Sequence, residues 1–372
     1  MKKLLPQRLM LHSFKLDFAS PVTGARQRHS QRLSLIVEIQ LDGQSGFGEV
    51  SSLDIPNYFH EWSSGSRHLM SSLIFPRIMN TGGLDFNTLD WLVGNGATRF
   101  AIECALLDLH AKRAGVGLTE FMNHIFETEA YDVGAKMPFG VAVGAVGGLA
   151  EASARMETAS SIGVRRVKIK VDGTDGIEVG KLDFRKYPLD IALDFNGSLS
   201  RQNVSLLADI DHVGLCFIEE PSAELDLAGY QRLAEDLQTR IFLDETTELL
   251  RIPYGIRGLG TALGIAVKPF RFGSVFRLNE ALEILQRNSS PSYLGGVFES
   301  SIGRRYLMAF GAHKCFTDVG DMAPSNWYFV NDIKPALVAP RGQAYLRSDF
   351  HLGSDVMELL GHECGADCVS FG

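Results

Sequence analysis

The chain has 372 residues, 45% hydrophobic and 22% charged, which excludes a disordered, collagen-like or disulfide-scaffold protein. Its 36 Lys and Arg against 44 Asp and Glu leave a net charge of −8, so a broad basic surface for nucleic acid is not expected. Five Cys, an odd and sparse set, read as reduced thiols of a cytoplasmic protein.

Met1-Lys2-Lys3-Leu4-Leu5-Pro6 begins like a secretion signal, but Arg8 and His12 cut the apolar run short and no small-residue cleavage site follows. No stretch approaches the ~20 apolar residues of a membrane helix. Residues 8–18 and 32–42 read as strands, the second through the alternation of Leu33, Leu35, Val37 and Ile39. The polar stretch Ser20 to Ser30 between them reads as a mobile loop, and Arg26 and Arg28 on it are either contacts for a dicarboxylate or plain solvated charges. Phe100 to Ala114 has helical spacing in Ile102, Ala105, Leu106, Leu109 and Arg113, and Gly115 ends it.

From about residue 134 short apolar runs alternate with helix-length amphipathic stretches. The runs are Phe139–Val143, Val164–Val171, Asp190–Phe195, Leu215–Glu219, Ile241–Asp244, Gly264–Lys268, Tyr293–Glu299 and Lys314–Asp318. Buried strands alternating with helices imply parallel β/α units, and eight of them fit a closed barrel. No G-x-G-x-x-G follows an early strand, which disfavours a dinucleotide-binding sheet.

Charged residues end these runs: Lys168 and Lys170, Asp194 with Asn196, Glu219 with Glu220, Asp244 with Glu245, Lys268, and Glu299 with Ser300. From Lys170 to Lys268 one follows another every 24 or 25 residues, one β/α unit apart. The C-terminal ends of barrel strands meet at one mouth, so three carboxylates gather there with lysines on either side. Such carboxylates repel unless a cation offsets them, and hard oxygen ligands suit Mg²⁺, with Mn²⁺ as the alternative. An amine beside a divalent cation and a second amine is pushed down towards a usable base. The residues therefore point to proton abstraction next to a carboxylate of a small-molecule substrate. Singly, each of these groups is as ordinary as a helix cap or a surface charge; the phased array is the signal.

Val-Lys-Ile-Lys (167–170), Asp-Phe-Asn-Gly (194–197), Phe-Ile-Glu-Glu-Pro (217–221), Phe-Leu-Asp-Glu (242–245) and Ala-Val-Lys-Pro (266–269) resemble the enolase superfamily. The helix around Ala101–Asp108 and the Gly46-Phe47-Gly48-Glu49 turn resemble its capping domain. The resemblance implies a modified (β/α)7β TIM-type barrel at residues 134–320, an α+β capping domain at 1–133, and a C-terminal segment, 321–372, returning to the cap. It implies Asp194, Glu219 and Asp244 as metal ligands with Glu220 and Glu245 behind them. It also implies Lys170 as the base, Lys268 on the other substrate face and Lys168 tuning Lys170 or holding the carboxylate. The superfamily mechanism runs through a metal-stabilised enediolate.

The lysine pair places the chain with the muconate cycloisomerase subgroup. Gly295-Gly296-Val297-Phe298-Glu299-Ser300-Ser301-Ile302-Gly303 is most similar to the o-succinylbenzoate synthase family, which dehydrates a cyclohexadiene carboxylate in menaquinone biosynthesis. That resemblance implies substrate contacts from Ser300, Ser301, Asn196 and Glu299. The same lysines suit N-succinylamino acid racemase, dipeptide epimerase and muconate cycloisomerase. Asp318-Val319-Gly320-Asp321 is one residue longer than the Asp-x-Asp that dipeptide epimerases usually carry. A non-catalytic barrel should have lost a ligand or a lysine, and none is missing. No membrane partner is expected, and the residues leave a homo-oligomer open. Cys104, Cys216 and Cys315 read as small core residues, Trp62, Trp91 and Trp327 as packing residues, and the Cys364/Cys368 tail as locally structural.

Overall fold

Two sheets organise the chain in the computed structural model, which describes residues 3–371 apart from 24–27, 57, 144–148, 162, 251–253, 334, 338–344 and 348–368. The first is antiparallel and belongs to the cap. Strand β1 (Arg8–Thr23) pairs with β2 (Arg28–Leu41) in the register Leu9↔Ile39, Leu11↔Val37, and β2 pairs with β3 (Gln44–Glu49). The expected loop at 20–30 is shorter than its polar composition suggests: both strands run into it, after a register shift between Asp17 and Val22. Arg26 lies outside the described residues, and Arg28 is placed only as the first position of β2.

Gly46-Phe47-Gly48-Glu49 is strand, not the turn that the resemblance to a capping domain implies. The glycines answer a different need. Helix α1 (Gly96–Ala114) crosses β3 backbone to backbone, and a Cβ on Gly48 would lie 2.0 Å from the Ala101 carbonyl oxygen. The same helix starts four residues before its apolar periodicity. Glu61 accepts hydrogen bonds from the N–H groups of Ala97 (2.7 Å) and Thr98 (2.9 Å) and from the Thr98 hydroxyl, a cap supplied from outside the helix. It ends at Gly115, at φ 70° in the left-handed region, as the sequence predicts.

The second sheet is parallel. Its strands are β4 (Gly140–Val143), β5 (Arg166–Lys170), β6 (Asp190–Asp194), β7 (Phe217–Glu219), β8 (Arg240–Leu243), β9 (Leu263–Val267) and β10 (Ser292–Leu294). Spatial order follows chain order throughout. Helices α2 (Leu149–Ser161), α3 (Gly173–Gly180), α4 (Leu227–Asp236), α5 (Val275–Asn288) and α6 (Ser301–Gly311) connect the strands or follow them, while short 3-10 turns stand after β6 and β8.

The eighth predicted strand, Lys314–Asp318, is not a strand. Closure falls at Gly320 and Asp321: the Gly140 N–H donates to the Gly320 carbonyl (2.8 Å), and the Asp321 N–H donates to that of Leu294 (2.9 Å). The Thr317 and Asp318 N–H groups both donate to the Ser292 carbonyl (3.0 and 3.1 Å), so the closure rests on scattered hydrogen bonds and not on a ladder. The curled parallel sheet with helices, under an antiparallel cap, is the TIM-type fold expected. Strand β11 (Val369–Phe371) pairs with β1 through Leu9↔Phe371, so the end of the chain lies in the cap sheet.

Among the described residues no helix is long and apolar enough to cross a membrane. Cys104 and Cys315 are buried and Cys216 half-buried, all as free thiols, while Cys364 and Cys368 lie outside the described residues. Trp62 and Trp91 are more exposed than packing residues should be, and Arg77 sits 4.8 Å over the Trp91 ring.

Candidate active site

Inside the barrel, Ala192, Phe217, Phe242, Ala266 and Tyr293 form one layer, one residue from each of β6 to β10. Side chains alternate along a strand, so the residue two positions further on points the same way, one layer nearer the mouth. Those residues are Asp194, Glu219, Asp244, Lys268 and Gly295. A Cβ on Gly295 would lie 2.9 Å from the Lys268 Nζ, so the lysine stem lies where a side chain would stand. On β5 the same alternation turns Arg166, Lys168 and Lys170 inwards.

Lys170, on β5, and Lys268, just past β9, stand four strands apart in a ring of seven strands and a closing segment. They face each other across the barrel, with the three carboxylate strands between them. Both line a cavity at the mouth together with Lys168, Asn196, Asp244 and Glu299, and the cap contributes His29, Leu53 and Tyr58 to its wall.

Each carboxylate is tied to a cation. The Lys170 Nζ donates to Asp194 Oδ2 (2.9 Å) and to Asn196 Oδ1 (2.9 Å). The Lys168 Nζ donates to Glu219 Oε1 (2.8 Å). Arg271 Nη1 donates to Asp244 Oδ1 (2.6 Å), and Lys268 Nζ is 3.4 Å from Asp244 Oδ2. Glu220 accepts from the Asp244 N–H (2.8 Å) and the Tyr230 hydroxyl, which fixes the strand end carrying Asp244. Asn196 Nδ2 donates to Glu245 (3.3 Å). Asn196 and Glu220 both have positive φ, 43° and 38°, a strained backbone that clusters at functional sites.

Burial raises the acids and the lysines pull them back unevenly. Asp194 and Asp244 end below the ordinary carboxylate range, because Lys170 and Lys168, and Lys268 and Arg271, outweigh their burial. Glu219 is pushed up to about 7 by burial, with Asp194 and Asp244 adding to it against Lys168. Glu245 is pushed up to about 8, by burial and by Asp244. Lys170 shifts upwards, opposite to the expected direction: burial lowers it, but Asp194 more than compensates. The expected depression depends on a cation drawing charge from that carboxylate.

Several groups were not legible in the sequence. Asp321 pairs with Lys168 (2.9 Å) and with Arg166; the Tyr58 hydroxyl donates to Asp244 (2.9 Å); Arg271 lies three residues past Lys268. Spacing offered a signal for Arg271, and for Asp321 only as the end of the Asp318-Val319-Gly320-Asp321 stretch set against the epimerase pattern. Ser300 and Ser301, the expected substrate contacts, are not on the cavity wall. The Ser300 hydroxyl donates to Glu49 (2.5 Å) and that of Ser301 to the Ile333 carbonyl (2.6 Å), since both stand at the start of α6. Glu299 does face the cavity, with one buried carboxylate oxygen that has no hydrogen-bond partner among the described residues.

The donor set at the mouth, oxygen-only and crowded with buried acid, fits a hard divalent cation such as Mg²⁺. Among the described residues no three Asp, Glu, His or Cys side chains stand as a finished cage, because the lysines and Arg271 hold the carboxylate oxygens.

Comparison with known proteins agrees with this architecture. The chain is 27% identical over 333 residues to o-succinylbenzoate synthase of Enterococcus faecalis (88% of this chain, 89% of that one). It is 24% identical over 357 residues to N-succinylamino acid racemase of Amycolatopsis sp (94% and 95%). A crystal structure of an enolase superfamily member from Listeria innocua superposes with a TM-score of 0.83 at 22% identity, covering 98% of each chain. The family model described as Enolase C-terminal domain-like matches residues 142–344, more than half of the chain, and this protein is a member of the enolase superfamily.

Proposed function

We propose that the protein is an o-succinylbenzoate synthase, removing water from a cyclohexadiene carboxylate to leave an aromatic ring. The observation that carries this reading is the placement of Lys170 and Lys268 on opposite sides of one cavity, with Asp194, Glu219 and Asp244 on the strands between. The synthase relatives, from Enterococcus faecalis and Bacillus subtilis among others, support the choice within the superfamily.

Neutral Lys170 takes the proton alpha to the carboxylate. The electron pair released runs into the carboxylate and the ring, then expels the hydroxyl from the same face. Protonated Lys170 gives its proton to that leaving group, and water departs. Lys268 keeps its charge over the other face, where a cation stabilises the electron-rich ring. Asp194, Glu219 and Asp244 would hold Mg²⁺, which when bound neutralises charge building on the substrate carboxylate. Asn196 keeps Lys170 aimed at the cavity.

A second reading follows from the same opposed lysines. One amine on each face is the layout for two-base racemisation, and an N-succinylamino acid racemase is among the relatives.

The test follows loss of the diene absorbance of the cyclohexadiene substrate with Mg²⁺. Turnover abolished by Lys170→Ala and by chelation supports the synthase reading. Turnover that survives Lys170→Ala overturns the base. An intact protein without turnover, but with alpha-proton exchange in D₂O on N-succinylamino acids, establishes the racemase instead.

A further inference from the structure

Tyr293 lies one layer below the mouth, fully buried, in company with Ala192, Phe217, Phe242 and Ala266. Phenylalanine would fill the same volume there, so packing does not account for its hydroxyl. A buried hydroxyl is costly unless it is hydrogen-bonded.

Its partners are the two groups that matter above it. The hydroxyl donates to Glu219 Oε2 and accepts from the Lys168 Nζ at 2.9 Å. The other Glu219 oxygen takes Lys168 itself, so the three side chains close a triangle. The face of the ring is covered by the Arg166 guanidinium, 4.3 Å from its centroid. Arg166 pairs with Asp321, and Asp321 returns to Lys168 at 2.9 Å. The circuit Arg166–Asp321–Lys168–Tyr293 thus draws on β5, on β10 and on the segment that closes the barrel. Among the described residues two Arg166 nitrogens have no hydrogen-bond partner, and the guanidinium is held by Asp321 and by stacking on Tyr293 and Phe217.

We infer that Tyr293 is a positioning residue: its hydroxyl locks the Glu219 carboxylate and the Lys168 amine into one relative orientation, so that the carboxylate trio presents a fixed set of oxygens to a divalent cation. This rests on the reading of Asp194, Glu219 and Asp244 as cation ligands. Tyr293 is not on the cavity wall and therefore acts through its neighbours. Groups that orient ligating side chains typically change metal affinity or activity by about 10–100-fold when removed.

The experiment is titration of the substrate-free, full-length protein with Mg²⁺ alone by calorimetry, for wild type, Tyr293→Phe and Phe242→Leu. The last variant disturbs the same layer but removes no hydrogen bond to Glu219 or Lys168. The expected result is Mg²⁺ binding weakened about 10-fold or more in Tyr293→Phe and unchanged in Phe242→Leu. With the cyclohexadiene substrate, kcat should fall in Tyr293→Phe while KM moves less than about three-fold. Equal Mg²⁺ affinity in wild type and Tyr293→Phe overturns the inference while leaving the cation site standing. Equal weakening in both variants overturns it too, by showing a general packing effect. A wild type that takes up no Mg²⁺ overturns the cation site, and the inference with it. Should Tyr293→Phe fail to fold, Asp321→Asn opens the same circuit from its other side, and an unchanged Mg²⁺ affinity there counts against the inference.

Discussion

The Glu49 carboxylate, on the last strand of the cap sheet, accepts the backbone N–H of Ser300 at 3.0 Å, at the start of a barrel helix. It also accepts the Ser300 hydroxyl and the Gly303 N–H (2.9 Å), and it pairs with Arg32 at 3.1 Å, both side chains fully buried. Arg32 in turn donates to the Phe298 carbonyl, whose residue stands at φ 54°. The cap therefore does more than lie over the mouth. It caps helix α6 with a negative charge and holds the 295–299 stretch of the cavity wall in a backbone shape it would not keep alone.

Removing that carboxylate should cost stability and substrate affinity together. Glu49→Ala strands a buried guanidinium and uncaps α6, a loss on the order of 3–5 kcal/mol. Glu49→Gln keeps the shape and should cost less than half as much. Urea unfolding gives the first quantity, and KM for the cyclohexadiene substrate gives the second. Equal losses in the two variants would mean that the charge itself, and not the shape of the side chain, is what Glu49 supplies.

Ser300 tests the same helix start from the other side. Its hydroxyl caps the Ile302 N–H at 3.2 Å and touches Glu49 instead of the cavity. Ser300→Ala should lose about 1 kcal/mol of stability with KM unchanged. A KM rise of ten-fold or more without loss of stability would restore the substrate contact that the sequence suggested.

The legible part of this protein is what repeats. Charged residues at the ends of β5 to β9 recur once per β/α unit, so Lys170, Asp194, Glu219, Asp244 and Lys268 fall into phase along the chain and around the barrel alike. What does not repeat was hidden. Tyr58 meets Asp244 across 186 residues and Tyr293 meets Glu219 across 74, contacts that no local pattern announces. The closing segment failed as a strand prediction for a related reason: its scattered hydrogen bonds to its neighbours form no ladder and leave no alternation to detect. The Gly46–Glu49 segment misled because glycine signals both turns and close backbone approach, and only the position of α1 distinguishes them.

That approach makes its own prediction. A Cβ at residue 48 would sit 2.0 Å from the Ala101 carbonyl oxygen, with helix backbone on one side and strand backbone on the other, so neither yields cheaply. Gly48→Ala should destabilise by about 3 kcal/mol or more, at the upper end of overpacking. Circular dichroism through a urea titration measures it. A loss under about 1 kcal/mol would show that α1 can lift from the cap sheet.

The two lysines should separate by role. Lys170→Met removes the base, and kcat should fall by about 10²–10⁴. Lys268→Met removes a cation over the ring, worth up to about 2 kcal/mol, so the dehydration rate should fall no more than about thirty-fold. Losses of equal size would place proton transfer on both amines and favour racemisation.

Acid should unfold the protein partly through His313. The ring is buried, its Nδ1 accepts the Cys315 N–H at 3.1 Å, and its Nε2 has no hydrogen-bond partner among the described residues. Burial, with Lys314 nearby, lowers its pKa to about 4. In the unfolded chain a histidine takes a proton near pH 6.5. As pH falls from there to about 4, the unfolded state binds a proton that the folded state refuses. Stability therefore drops through that window, by about 3 kcal/mol at its lower end, and levels off below it. His110, lowered to about 4 chiefly by burial, pulls the same way, so the total alone does not assign the effect. His313→Asn keeps an acceptor for the Cys315 N–H and removes the titration. Its stability, read from urea midpoints between pH 4 and 7, should decline less steeply than that of the wild type, by about one proton's worth of slope. Curves that stay parallel through the window would clear His313 and leave His110 as the group to replace.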